Sequence, residues 1–77
     1  MAVARVIEIS ATSPTSFDDA VAQGVTRATQ TLRNVTSAWV KEQRVQIIEG
    51  RISAYQVNIM VTFVLDDTFD LNEPGRS

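Results

Sequence analysis

The chain has 77 residues, of which 44% are hydrophobic, a formal net charge of −2, and neither cysteine nor histidine. A chain of this size holds one domain with a modest core, and the missing residue types exclude disulfide staples, a thiol nucleophile, a histidine base and a zinc centre of the usual Cys/His kind. The slightly acidic balance, with no basic stretch interleaved with aromatics, argues against nucleic acid as a partner. No segment approaches the roughly 18 apolar residues of a membrane span. The opening MAVARVIEIS is too short and too charged for a signal peptide, so a cytoplasmic location without a membrane partner is expected.

Val3 to Ala11 alternates loosely, with Val3, Ile7 and Ile9 on one side and Glu8 and Ser10 on the other, and its β-branched content reads as a strand. Thr12-Ser13-Pro14-Thr15 should end it, because proline lacks an amide donor and biases Ser13 away from helix. Ser16 with Asp19 three residues on resembles a capping box, and Asp18 and Asp19 suit the positive end of a helix dipole. Phe17, Ala20, Val21, Gly24, Val25, Ala28 and Leu32 then recur at three- and four-residue spacing, which predicts an amphipathic helix of about four to five turns. Arg33 suits its end, with Asn34 as a left-handed cap. Gly24 reads equally as a close approach to a sheet and as a tolerated glycine.

Trp39 to Leu65 reads as one long β-hairpin about a Glu49-Gly50 turn. Tyr55, Val57, Ile59, Val61, Phe63 and Leu65 form one face of its second strand; Gln56, Asn58, Met60, Thr62 and Val64 form the other. Counting outwards from the turn sets Ile48 against Arg51, and then Gln43 against Gln56, Lys41 against Asn58 and Trp39 against Met60, the last six on the outer face with Val45, Ile47, Ile52 and Val64. The same count puts Glu42, Arg44 and Gln46 on the core side, a sign of a possible β-bulge or of a sheet that outruns its helix. The predicted fold is α+β: a β-α-β-β unit whose three-stranded sheet, of order 1-3-2 after a right-handed crossover, wraps one helix. Residues 1–67 form a single domain, and 68–77 an acidic, turn-rich tail expected to be mobile. An apolar outer face on so small a domain predicts a homo-oligomer.

The RVIEI strand, the TSPTSF start and TLRNV end of the helix, and the hairpin with Trp39, Gly50, the YQV of Tyr55 to Val57 and a strand ending FVLDD together resemble the dodecins, over about Val3 to Asp67. The resemblance implies a βαββ subunit assembled into a hollow homododecamer. It also implies a flavin store or buffer that binds riboflavin, FMN or lumichrome between subunits. In flavin-binding dodecins a tryptophan early in strand two stacks on the isoalloxazine ring and a glutamine in strand three bonds its polar edge; here these would be Trp39 and Gln56. An alignment on the hairpin puts Ser37 where their tryptophan sits, two residues before Trp39. Lys41, Gln43 and Arg44 complete the candidate site, the cations as partners for a flavin phosphate.

Each signal has a plainer reading. Trp39 suits an interface anchor as well as a stacking platform, Gln56 an exposed or self-paired amide, and the cations solvated strand charges or salt bridges between subunits. The Asp66, Asp67 and Asp70 cluster matches no calcium-loop spacing. No carboxylate pair, nucleophile with base, or phosphate-cradling loop suggests an enzyme. The alternative function is a dodecin-like structural, cation- or small-ligand-binding oligomer without a physiological flavin.

Overall fold

A computed structural model describes residues 3–65; the acidic tail lies outside the described residues. The elements are strand β1 (Ala4–Ser13), helix α1 (Phe17–Thr31), strand β2 (Val35–Ile48) and strand β3 (Arg51–Val64). The sheet order is β1-β3-β2, with β3 antiparallel to both neighbours, which is the expected topology. β3 is the central strand, and its inward residues Val57, Ile59 and Val61 are at most 1% exposed.

β1 runs two residues beyond the expected Ala11, because Ser13 stays extended as a residue before proline prefers and its side chain organises the crossover. Ser13 is fully buried. Its Oγ donates to Asp19 Oδ2 at 2.6 Å and accepts from the Thr15 amide at 2.9 Å and, more weakly, from the Ser16 amide at 3.5 Å. Ser16 caps α1 by accepting from the Asp19 amide at 3.0 Å. Only half of the expected capping box forms, since the Asp19 carboxylate turns to Ser13 and to Gln23 Nε2 rather than to the Ser16 amide. Ser13 thus ties the end of a strand to the first turn of the helix.

The innermost stripe of α1 is small: Ala20, Gly24 and Ala28, four residues apart, are buried, with Phe17, Val21 and Leu32 packing around them. A Cβ at Gly24 would lie 2.9 Å from Ile59 Cδ1 and 3.2 Å from Ala11 Cβ. The glycine therefore serves the close approach of helix to sheet. Asn34 is left-handed as expected, with φ 63°, but it does not cap the helix. The C-cap is Leu32, whose amide donates to the Ala28 carbonyl, and Asn34 instead pins the start of β2 to the end of β3 through its carbonyl, which accepts from the Val64 amide at 3.0 Å, and its Nδ2, which donates to the Val64 carbonyl.

The hairpin turns at Glu49 and Gly50, both with positive φ, 51° and 77°, the two-residue geometry whose twist matches that of the strands. Fourteen residues of β3 extend about 46 Å, whereas the fifteen of α1 extend about 22 Å. The helix starts, at Phe17, level with Tyr55, whose ring meets that of Phe17 edge-on at 5.1 Å, and β1 pairs with β3 only from Tyr55 to Val64. Beyond Tyr55 the hairpin continues as two strands with no helix beneath it, and Ile47, Ile48 and Ile52 are 53 to 64% exposed there.

Two stability changes follow. Ser13→Ala should destabilise the fold by about 1 to 2 kcal/mol, because it removes a hydrogen bond to the Asp19 carboxylate and leaves the Thr15 amide without its acceptor; denaturant unfolding checks this. Gly24→Ala should cost about 1 kcal/mol net, the crowding against Ala11 and Ile59 outweighing the gain in helix propensity. A gain in melting temperature would refute the close-approach account.

Candidate functional site

The sheet face away from α1 is open, and its side chains fall into cross-strand rows. Val6, Thr62 and Ser37 form one row; Glu8, Met60 and Trp39 the next; then Ser10, Asn58 and Glu42; then Thr12, Gln56 and Arg44. Trp39 is 51% exposed. Trp39 and Gln56 thus share a face, as the sequence suggests, two rows or about 13 Å apart within one subunit.

The register corrects part of the expectation. Ile48 lies opposite Arg51 and Trp39 opposite Met60, but Gln43 lies opposite Val57 rather than Gln56, and it is Glu42, not Lys41, that faces Asn58. Two irregularities cause this. β3 carries an extra residue, Ser53, between the partners of Ile47 and Gln46, and β2 carries an extra residue, Lys41, between Val40 and Glu42. Each bulge shifts the pairing by one, and the two cancel before Trp39. Between them every side chain changes face. Gln43 and Val45 turn to the helix side, opposite Val57 and Tyr55, while Glu42, Arg44 and Gln46 turn outward. Arg44 therefore sits beside Gln56, where the simple count places Gln43.

The polar groups of the open face are bonded to one another. The Lys41 ammonium reaches over β3 to Glu8 Oε1 at 3.1 Å, and Asn58 Nδ2 donates to Glu8 Oε2 at 2.9 Å. Gln56 Nε2 donates to Ser10 Oγ at 3.1 Å, and Arg44 lies 3.3 Å from Glu42. Asn58 Oδ1 is sealed from solvent without a donor. The importance of Glu8 and Asn58 is not apparent in the sequence beyond their polar positions in otherwise apolar strands. Among the described residues no group of three or more His, Cys, Asp or Glu is gathered for a metal ion, and no helix is long and apolar enough to cross a membrane. What this face offers is a flat aromatic ring, an amide, and a mixed band of charges.

The Asn58 hydrogen bond, then the Lys41 hydrogen bond and charge, hold the Glu8 carboxyl below its ordinary value of 4.5. With the folded-state pKa depressed, its contribution to stability is complete above the unfolded value and is lost as pH falls through the folded one. The stability difference between wild type and Glu8→Gln should accordingly stay constant from about pH 7 to pH 5 and shrink only below about pH 4.5, as thermal melts across that range would show.

Comparison with known proteins places this geometry. A family model described as Dodecin matches residues 3–66. A dodecin from Streptomyces davaonensis is 41% identical, with a TM-score of 0.81 over 86% of this chain and 97% of the other. One from Streptomyces coelicolor is 39% identical, with the same TM-score over 86% and 94%. The calcium dodecin of Mycobacterium tuberculosis is 35% identical over 63 residues, 82% of this chain and 89% of that one. A crystal structure of calcium dodecin from that organism, described as having a novel calcium-binding site, superposes with a TM-score of 0.73 at 34% identity over 90% and 99% of the two chains. With its βαββ order, its central third strand and a match over nearly all of its described residues, the chain belongs to the dodecin family.

Proposed function

We propose that this chain is a flavin-binding, non-catalytic dodecin that stores or buffers riboflavin or FMN between copies of itself in a closed homo-oligomer, a dodecamer by analogy with its family. The observation that carries the reading is the lone tryptophan, half exposed on an open sheet face that it shares with Gln56 and Arg44. An indole left on a flat strand surface gains from an offset stack on a planar ring system, about 0.5 to 1.5 kcal/mol beyond area burial. Gln56 supplies both a donor and an acceptor, the pattern that matches the pyrimidine-like edge of a flavin. Arg44 beside it, with Lys41 at the next strand irregularity, suits the phosphate of FMN, and Ser37 stands one row from Trp39 on the same face. Gln43 lies on the opposite face and is left out of the proposed site.

The 13 Å between the Trp39 and Gln56 rows favours a site completed by a second subunit, in which each copy contributes a ring from one row and an amide from another. A subunit with Trp39, Ile47, Ile48 and Ile52 all more than half exposed has a reason to associate, since burying each such side chain contributes roughly 1.5 to 3 kcal/mol.

A second reading, an assembled dodecin that binds a cation and no flavin, is favoured by Ser37 standing where flavin binders carry tryptophan and by the name of the mycobacterial relative. Its acidic candidates, Asp66, Asp67 and Asp70, lie outside the described residues. Riboflavin titration separates the two readings. Micromolar protein should quench most of the flavin emission, Trp39→Ala should abolish most of that quenching, and Gln56→Ala should weaken binding by roughly tenfold. Unquenched emission, together with a calcium-dependent rise in melting temperature, would replace the first reading with the second.

A further inference from the structure

The placement of Trp39 depends on a single extra residue. From Gln46 to Glu42, β2 pairs with β3 one residue out of step with the count from the turn. Continued unbroken, that register would set Trp39 opposite Val61, a core residue 1% exposed, and turn the indole toward the helix. The slip at Lys41 restores Trp39 to Met60 on the open face. The two arrangements put different residues on the helix side. The observed one puts Ala38 and Val40 on the helix side, and Val40 is still 40% exposed; the slipped one would put Ser37, Trp39 and Lys41 there instead, Lys41 opposite the core residue Ile59.

We propose that Glu8 is a positioning residue which, through Lys41 and Asn58, locks the irregularity in β2 that presents Trp39 on the open face. Lys41 is the extra residue, and its ammonium is held at 3.1 Å by Glu8 two strands away, while the other oxygen of Glu8 holds Asn58 on the intervening strand. Glu8 and Trp39 both lie opposite Met60, so the tie crosses the sheet in the row that carries the indole. An exposed ion pair in isolation contributes little to stability. This one acts on register, because it holds the extra residue itself on the open face and fastens three strands at one carboxylate. As a role in ligand binding, it rests on the reading of Trp39 as the stacking ring.

The test uses the single tryptophan as its own reporter, first without ligand and then in a riboflavin titration. Glu8→Ala and Lys41→Ala should keep the far-UV circular dichroism of wild type, because the core lies on the other face, while changing the near-UV signal of Trp39 and its quenching by acrylamide. Each should weaken riboflavin binding about 3- to 10-fold. The exchanged pair Glu8→Lys with Lys41→Glu should recover part of both, since it restores the ion pair but leaves Asn58 Nδ2 without its carboxylate acceptor. Trp39 signals unchanged in the single variants, or an exchanged pair as impaired as they are, would overturn the proposal. If Glu8→Ala fails to fold, Glu8→Gln, which removes the charge and keeps an acceptor for Asn58, decides by the same Trp39 signals. A wild-type protein that leaves riboflavin unquenched would refute the flavin reading alone, because the ligand-free spectra still decide whether Glu8 positions Trp39.

Discussion

The structure depends on a mismatch of lengths, a hairpin of about 46 Å lying on a helix of about 22 Å. One 15-residue helix can shield only the stretch of sheet that it spans, and it does so by bringing Ala20, Gly24 and Ala28 down onto Val57, Ile59 and Val61. Everything beyond Tyr55 on the inner side, and the whole outer side, is left for something else to cover. For a chain of 77 residues with no disulfide, that uncovered surface is a large share of what it has available for stability. The fold is thus legible as a part of an assembly.

The two faces of the sheet are built by different means. The inner face follows apolar alternation along β1 and β3, held at one end by the Ser13 hub and at the other by Asn34 bonding to Val64. The outer face is set by β2, whose pairing departs from regularity at Ser53 and at Lys41. Those departures bring Arg44 beside Gln56 and keep Trp39 beside Met60. They make a surface with an aromatic end, a belt of mutually bonded polar groups and an isoleucine-rich tip.

Much of this was legible in the sequence. Tyr55, Val57, Ile59 and Val61 alternate over a strand with one dry face, and Glu49-Gly50 marks a turn with positive φ at both positions, so hairpin and strand order follow from local rules, while the counted Trp39–Met60 pairing holds only because the two bulges cancel before it. The stripe of α1 was readable too, although its innermost members proved to be the smallest ones. The register between Gln46 and Glu42 could not be fixed. A bulge leaves no composition mark, and the only warning was that three polar residues, Glu42, Arg44 and Gln46, fell on the side meant for the core. Counting from the turn therefore gives Gln43 the place that Arg44 holds. Ser13 was read as part of a strand break, because nothing in a Ser-Pro dipeptide tells whether the hydroxyl is solvated or buried against an aspartate.

We propose that the open sheet face and the hairpin tip are covered by other copies of the chain. The most direct measurement is the mass in solution, by sedimentation equilibrium of the wild-type protein at low micromolar concentration without added ligand. A single species many times the 8.5 kDa of one chain, with no detectable monomer, is the expected result. A stable, folded 8.5 kDa monomer would contradict it, and would remove the shared site along with the assembly.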